Sequence, residues 1–351
     1  MEMWTDFGQN LSHENIATPL ILDCSKGAPS AWLAQWLSDC GINCKEVSQN
    51  ANAMNEGCGA GELSPTDTWT IEEAMNESHL LLRNVQPASA GTVVGAALDG
   101  DGDRCLIIEA TETGYKVVDG DAIADLLLKA AAKNNPNSQW HLAASIESDL
   151  ALLSNPCSGL EIMTSETAVG DRWLSVELRK NGLVGEEMPK LFGVEDSGHV
   201  VLPSSHPQLE NQWSLVGDGA ATLVSYLLAK SSIGNEEMNR GWKKRVSVSN
   251  VDRTLWNGRN QLSDDVVNIA FNQLNKLGEI THWNRHGLDG EENLMLIEAL
   301  LNDCPLSLGI RNSGTQAKIN VSLRLGIGLG NSGMEDILDE ISTLLSSKMC
   351  L

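Results

Sequence analysis

Apolar and polar positions trade places along this chain in short blocks, and the blocks predict strands and helices in turn. Leu20-Ile21-Leu22 is an apolar run closing at Asp23, and Cys24 to Pro29 is turn chemistry. Ser30 fits an N-cap for a helix whose apolar positions Trp32, Leu33, Trp36 and Leu37 share one face; Gly41 ends it, and Ile42 to Val47 reads as the next strand. The pattern then predicts a helix over Ile71 to Leu82, strands over Thr92 to Leu98 and Cys105 to Ile108, and a helix from Asp121 to about Lys133. Asn134 to Ser138 is polar and Pro-containing, so it separates two units. Beyond it, Trp140 to Ile146 restarts as a strand, and helices carry Trp173 to Arg179 and Gly219 to Lys230. Gly241 to Ser249 turns basic and irregular. The last unit is expected to hold helices over Asp264 to Leu277 and Glu291 to Leu301, a strand over Ile319 to Leu325, and a final helix after Met334. Such alternation predicts an α/β chain of three units, 19–137, 138–245 and 246–351, behind an N-terminal extension 1–18.

Composition narrows the partners. Of 351 residues, 24 are Lys or Arg and 47 Asp or Glu, and the formal charge of −23 argues against duplex DNA and anionic membranes. Hydrophobic residues at 42% suffice for real cores, which must be mostly aliphatic because aromatics are only 4%. The eight cysteines are scattered without a C-x-x-C pair, so neither a disulfide scaffold nor a zinc site is expected. The N-terminus carries no basic segment followed by an apolar run, and no stretch nears the roughly 18 apolar residues of a membrane span. The expected compartment is the cytoplasm, with no nucleic-acid or membrane partner.

Four segments carry chemistry. In Asp99-Gly100-Asp101-Gly102-Asp103-Arg104, three carboxylates at alternate positions converge on one hard cation, and the glycines permit the tight curvature. A calcium-binding EF-hand loop would need Gly and a carboxylate where Arg104 and Ala110 stand, so that reading fails. Mg²⁺ suits the few ligands and the positions left open for phosphate. Arg311-Asn312-Ser313-Gly314-Thr315, followed by Gln316-Ala317-Lys318, is a compact donor cluster for phosphate, although ordinary turns also collect Ser, Gly and Thr. Glu195-Asp196-Ser197-Gly198-His199 sets a carboxylate, a hydroxyl and an imidazole on one turn, groups that grip sugar hydroxyls; a plain surface turn has the same composition. Thr167 to Arg172 precedes a helix and also fits a simple helix start with Asp171 as cap.

Taken together and in order, these segments resemble the α-D-phosphohexomutase family, which includes phosphoglucomutase/phosphomannomutase and phosphoglucosamine mutase. The family's metal loop matches Asp99 to Arg104, its T-x-V-G-D-R segment Thr167 to Arg172, its sugar loop Val194 to His199 and its phosphate loop Arg311 to Gln316. The resemblance implies two consecutive α/β mixed-sheet domains followed by a smaller α+β C-terminal domain, the family's domains II, III and IV. It implies intramolecular phosphoryl transfer that interconverts hexose or hexosamine 1-phosphate and 6-phosphate through a bisphosphate. Asp99, Asp101 and Asp103 would hold Mg²⁺, and Arg104 and His199 would serve as the catalytic pair that moves the hydroxyl proton or stabilises charge. Asp171, Arg172, Glu195 and Ser197 would bind the substrate; Arg311, Ser313, Gly314, Thr315 and Lys318 would hold its distal phosphate.

The chain departs from that pattern in places. Family members carry the phosphoserine on a first domain, in a T-A-S-H-N-P-type loop, whereas the resemblance here starts at the second domain. Leu11-Ser12-His13-Glu14-Asn15 imitates that loop only superficially, so the phosphoserine domain is expected either from a separate chain or from a part of the protein that this sequence does not include. Gln316, Ala317, Asn320 and Val194 replace customary residues, with Lys318 or Arg324 the substitutes for a missing positive charge. The competing expectation is a non-catalytic, Mg²⁺-dependent sugar-phosphate binder or a partner subunit.

Overall fold

A computed structural model describes residues 11–154, 156–313 and 316–351. These residues fall into two compact units. One holds the described residues of Met1–Ala144, Cys157–Ser165 and Gly170–Met238; the other holds those of Ser145–Pro156, Glu166–Val169 and Asn239–Leu351.

The chain first builds β1 (Ile16–Asp23), α1 (Leu33–Asp39), β2 (Cys44–Glu46), β3 (Thr68–Thr70), α2 (Ile71–Asn76), α3 (Leu80–Asn84), β4 (Val93–Leu98), β5 (Cys105–Ala110) and β6 (Gly114–Val118). The sheet order is β2-β1-β4-β5-β6-β3, with β1 parallel to both neighbours and the other pairs antiparallel. Every residue of β4 and β5 is buried, so β4 and, apart from Glu109, β5 read as continuous apolar runs rather than alternating ones. Their antiparallel pairing leaves residues 99–104 as the connection at the sheet's end. Two expectations change here. Ala28–Ala31 forms a 3₁₀ turn and the helix starts only at Leu33, with Ser30 off the cap. The helix expected over Ile71 to Leu82 breaks at Glu77, because the Leu80 amide bonds to the Gly57 carbonyl at 2.8 Å and His79 turns inward to the Gly59 carbonyl at 3.1 Å.

The second sheet follows α4 (Gly120–Asn134), whose cap Asp119 accepts from the Ala122 amide at 3.0 Å. It contains β7 (Gln139–Ser145), β8 (Glu161–Thr167), β9 (Leu191–Val194), β10 (Val200–Ser205) and β11 (Trp213–Gly217) in the order β11-β10-β9-β7-β8. Helices α5 (Asp171–Leu178) and α6 (Gly219–Ile233) accompany it. Helix α6 packs on α4 and is pinned to β5 by a buried cluster in which Tyr226 and Lys230 reach Glu109 Oε1 at 2.6 and 2.5 Å.

The third sheet is fully antiparallel, β12-β16-β15-β14-β13, made from β12 (Trp242–Ser249), β13 (Ile280–Leu288), β14 (Glu291–Leu301), β15 (Cys304–Asn312) and β16 (Lys318–Leu325), with α7 (Gln261–Leu277) and α8 (Met334–Met349). The stretch expected to be irregular is thus an edge strand: Trp242, Val246 and Val248 face the core while Lys243 and Arg245 alternate with them, a charged guard on an open edge. Glu291 to Leu301, expected as a helix, is a strand. Met295, Ile297, Ala299 and Leu301 face the main core, while Leu294 and Leu296 pack with Ile146 on the other face. Burial on both faces erases the two-residue alternation and leaves a run of good helix formers. Each unit folds around aliphatic side chains, and Trp256 is the one large aromatic buried completely among the described residues.

Candidate active site

The β4–β5 connection folds so that Asp99, Asp101 and Asp103 each bring one carboxylate oxygen within 4.8 Å of the others. Asp99 Oδ1 accepts from the amides of Gly102 and Arg104, both at 3.2 Å, which curls the loop around its own carboxylates. Glycines make room for this: a Cβ on Gly27 would lie 2.0 Å from the Gly100 carbonyl, and one on Gly219 2.4 Å from that of Arg104. The start of α6 closes the loop from the other side, with the Gly219 amide on the Gly102 carbonyl at 2.8 Å. Asp103 Oδ1 is buried without a hydrogen-bond partner among the described residues; the Arg104 Nε nearest to it stands 3.9 Å away. Burial pushes the Asp103 carboxyl up to about 6; His199 pulls it back in part, and Asp99 and Asp101 raise it further. Crowded hard oxygens with an unsatisfied buried acceptor fit a divalent cation better than they fit a bare acidic turn.

The β9–β10 turn lies against this loop. Arg104 and His199 form an antiparallel bridge, the Cys105 amide bonds to the Gly198 carbonyl at 2.9 Å, and His199 Nδ1 is 3.9 Å from Asp103 Oδ2. Gly198 sits at φ 88°, and a Cβ there would come within 2.4 Å of the Cys105 carbonyl, so the approach requires glycine. His199 is buried, and its Nε2 has no hydrogen-bond partner among the described residues; a Cβ on Gly217 would lie 2.3 Å from that nitrogen. Glu195, also buried, accepts from the Gly170 amide and from Ser197 Oγ, the latter at 3.3 Å. Gly170 leads into α5, where Asp171 and Arg172 are exposed and the Arg172 guanidinium stacks 5.0 Å over the Trp173 ring. One compact unit therefore gathers Asp99, Asp101, Asp103, Arg104, Glu195, Ser197 and His199, with Asp171 and Arg172 on the helix that Gly170 opens.

The arginine loop belongs to the other unit and is described within it. Arg311 lies on β15, its Nη2 on Glu147 Oε1 at 2.7 Å and its Nη1 3.5 Å from Glu291 Oε1. Ser313 follows, with its amide on the Lys318 carbonyl at 2.9 Å and its own carbonyl accepting from Arg253. Lys318 opens β16. Gly314 and Thr315 lie outside the described residues. Arg311, Asn312 and Ser313 line a groove of about 960 Å³ together with Arg253, Asn257 and Glu291. Arg324 cannot replace a phosphate-binding arginine: it is 1% exposed and bonded to Glu166 at 2.8 Å, to Ser307 Oγ at 2.7 Å and to the Ser148 carbonyl at 3.1 Å.

The family model described as phosphoglucomutase/phosphomannomutase, alpha/beta/alpha domain III, matches residues 119–240. The phosphoglucosamine mutase of Mycobacterium sp. (strain KMS) is 32% identical over 191 residues, 54% of this chain and 36% of that protein. The structure of an N-acetylglucosamine-phosphate mutase of the alpha-D-phosphohexomutase superfamily, in its substrate complex, superposes on 98% of this chain with a TM-score of 0.65 and 14% identity. Over residues 119–240 the chain is thus similar to domain III of phosphoglucomutase/phosphomannomutase. Other similar proteins include the phosphoglucosamine mutase of Mycolicibacterium smegmatis, 32% identical over 222 residues, 62% of this chain and 40% of the relative. An Aspergillus fumigatus N-acetylphosphoglucosamine mutase in complex with glucose 1,6-bisphosphate shares the fold at TM-score 0.61 and 14% identity, over 100% of this chain and 64% of that one. The chain thus spans only about two fifths of the curated relatives it matches.

Within this chain, sequence reasoning missed the residues that support the loops. Gly217 and Gly219 leave room for His199 and the carboxylate loop, and the spacing Gly217-Asp218-Gly219 ahead of an apolar helix was the available signal. Glu147 and Glu291, which hold Arg311, gave no local signal at all. Glu147 lies 164 residues before its partner. No described helix is long and apolar enough to cross a membrane.

Proposed function

We propose that the chain performs phosphohexomutase-type phosphoryl transfer, interconverting a hexose or hexosamine 1-phosphate and 6-phosphate with Mg²⁺, on a phosphoserine donor. The carrying observation is the convergence of Asp99, Asp101 and Asp103 around an unsatisfied Asp103 Oδ1, next to the Arg104–His199 bridge. Held by the three aspartates, Mg²⁺ would neutralise charge on the transferring phosphoryl group, where positioning and electrostatics provide most of the rate. Glu195 and Ser197 would hold sugar hydroxyls in either orientation of the substrate. Asp171 and Arg172 would contribute from α5. His199 Nε2 or Arg104 would manage the proton leaving the attacking hydroxyl as the new P–O bond to the sugar forms and the P–O bond to the serine breaks. Return of the other phosphate to the serine restores the donor. Arg311, Ser313, Gly314, Thr315 and Lys318 would anchor the phosphate that is not reacting. The phosphoglucosamine mutase relatives make hexosamine phosphates the first substrates to try.

The test mixes the full chain with Mg²⁺, a hexosamine 1-phosphate, its 1,6-bisphosphate and a phosphoserine domain from a relative, and follows ³¹P resonances. Interconversion that Asp101→Ala abolishes is the expected result. Sugar-bisphosphate binding that Arg311→Ala removes, without turnover under any of these conditions, would replace the enzyme by a sugar-phosphate binder.

A further inference from the structure

Arg311 is held by two carboxylates that differ in place and in state. Glu291 lines the groove beside Arg311, at the head of β14 just after the Gly290 turn; Glu147 is not part of that lining. Glu147 bonds Arg311 at 2.7 Å, accepts from Arg245 through its other oxygen, and receives Lys243 Nζ on its backbone carbonyl at 3.3 Å. Burial pushes the Glu147 carboxyl up, but the Arg245 and Arg311 guanidiniums outweigh burial and hold it below its ordinary value. Glu291 stands 3.5 Å from Arg311 Nη1 and also accepts a backbone hydrogen bond from Val169. Burial pushes its carboxyl up, Arg311 recovers part of that, and Glu147 raises it again. One carboxylate is therefore bonded closely behind the groove, and the other, held at longer range, lines the groove itself.

We propose that Glu147 positions Arg311 from behind, while Glu291 is an internal counter-ion that a phosphate group entering the groove must displace from Arg311 Nη1. This rests on the reading of Arg311 as the phosphate anchor. Two anions compete for one face of a guanidinium, so the carboxylate weakens phosphate binding and shortens its residence. A phosphosugar that must leave, turn around and bind again needs such a limit on its grip. Glu291 is thus a residue that sets affinity rather than one that reacts.

Titration calorimetry of the full chain with inorganic phosphate decides the matter. Glu291→Gln, an isosteric change, is expected to tighten the Arg311-dependent binding by roughly three- to tenfold. Glu147→Gln is expected to weaken it, and adding Arg311→Ala to Glu291→Gln should erase the gain. A merely structural Glu291 would give unchanged or weaker binding on Glu291→Gln, and either result overturns the proposal. If Arg311→Ala leaves wild-type phosphate binding intact, the anchor reading falls and this proposal with it. Arg311-dependent binding that ignores Glu291→Gln overturns the present proposal alone.

Discussion

The carboxylate loop at residues 99–104 and the arginine loop around residue 311 are opposite electrostatic problems. In the first, three acids crowd together and one buried oxygen has no hydrogen-bond partner among the described residues. In the second, one guanidinium already holds two acids, with a second cation, Arg245, behind them. The contrast teaches how each site meets its ligand. A site short of positive charge gains stability when a cation binds, so the ligand completes it. A site whose charges are already matched binds by exchange, and its affinity depends on what the ligand displaces.

Removing a carboxylate should expose the difference most strongly. Asp101→Ala is expected to lower hexose-phosphate interconversion on the order of a thousandfold, and to abolish the rise in melting temperature that Mg²⁺ gives the parent protein; an equal Mg²⁺ response in both proteins breaks the metal assignment. Next comes Arg311→Ala, which strands Glu147 in a buried position with Arg245 alone. Chemical denaturation should register a loss of about 2 kcal/mol, larger than an exposed ion pair would give, and unchanged stability would show the pairing to be incidental. Gly217→Ala tests the packing behind His199: the added methyl meets Nε2 of a buried ring, so about 1–2 kcal/mol of stability should be lost along with turnover.

The smallest effect is in pH. Glu147 is depressed in the folded protein, so its contribution is fully present above the ordinary carboxylate range and is lost as pH falls through the lowered value. Between about pH 5 and pH 3 the parent should lose stability more steeply than Glu147→Gln. Glu291 has the opposite sign: its raised carboxyl makes ionisation cost stability as pH rises, so Glu291→Gln should lose nothing at neutral pH. Identical pH profiles for both variants would dissolve the distinction between holder and competitor.

Much of this was legible in the sequence wherever the cause is local. The three aspartates, the glycines between them and the turn Glu195 to His199 carry their chemistry within a few residues, and helices such as Gly120–Asn134 and Gln261–Leu277 show a 3.6-residue period between clear caps. The failures share a cause at long range. Glu291 to Leu301 looks helical because packing on both faces removes the strand signature, and that packing depends on Ile146 and on the strands either side. Arg324 read as a spare cation until its sheet brought Glu166, Ser148 and Ser307 around it. Counter-ions 158 and 164 positions away leave no imprint on a motif.

That buried arginine also dictates a timetable. Glu166 is synthesised 158 residues before Arg324, and at about 5–20 residues per second the wait is about 8–32 s. Through that interval the segments Ser145–Pro156 and Glu166–Val169, which finally belong with the C-terminal sheet, have no β16 to settle on. A chain stalled before residue 318 should therefore be cut by protease in these two stretches and nowhere else nearby, and release of the last strand should protect both at once.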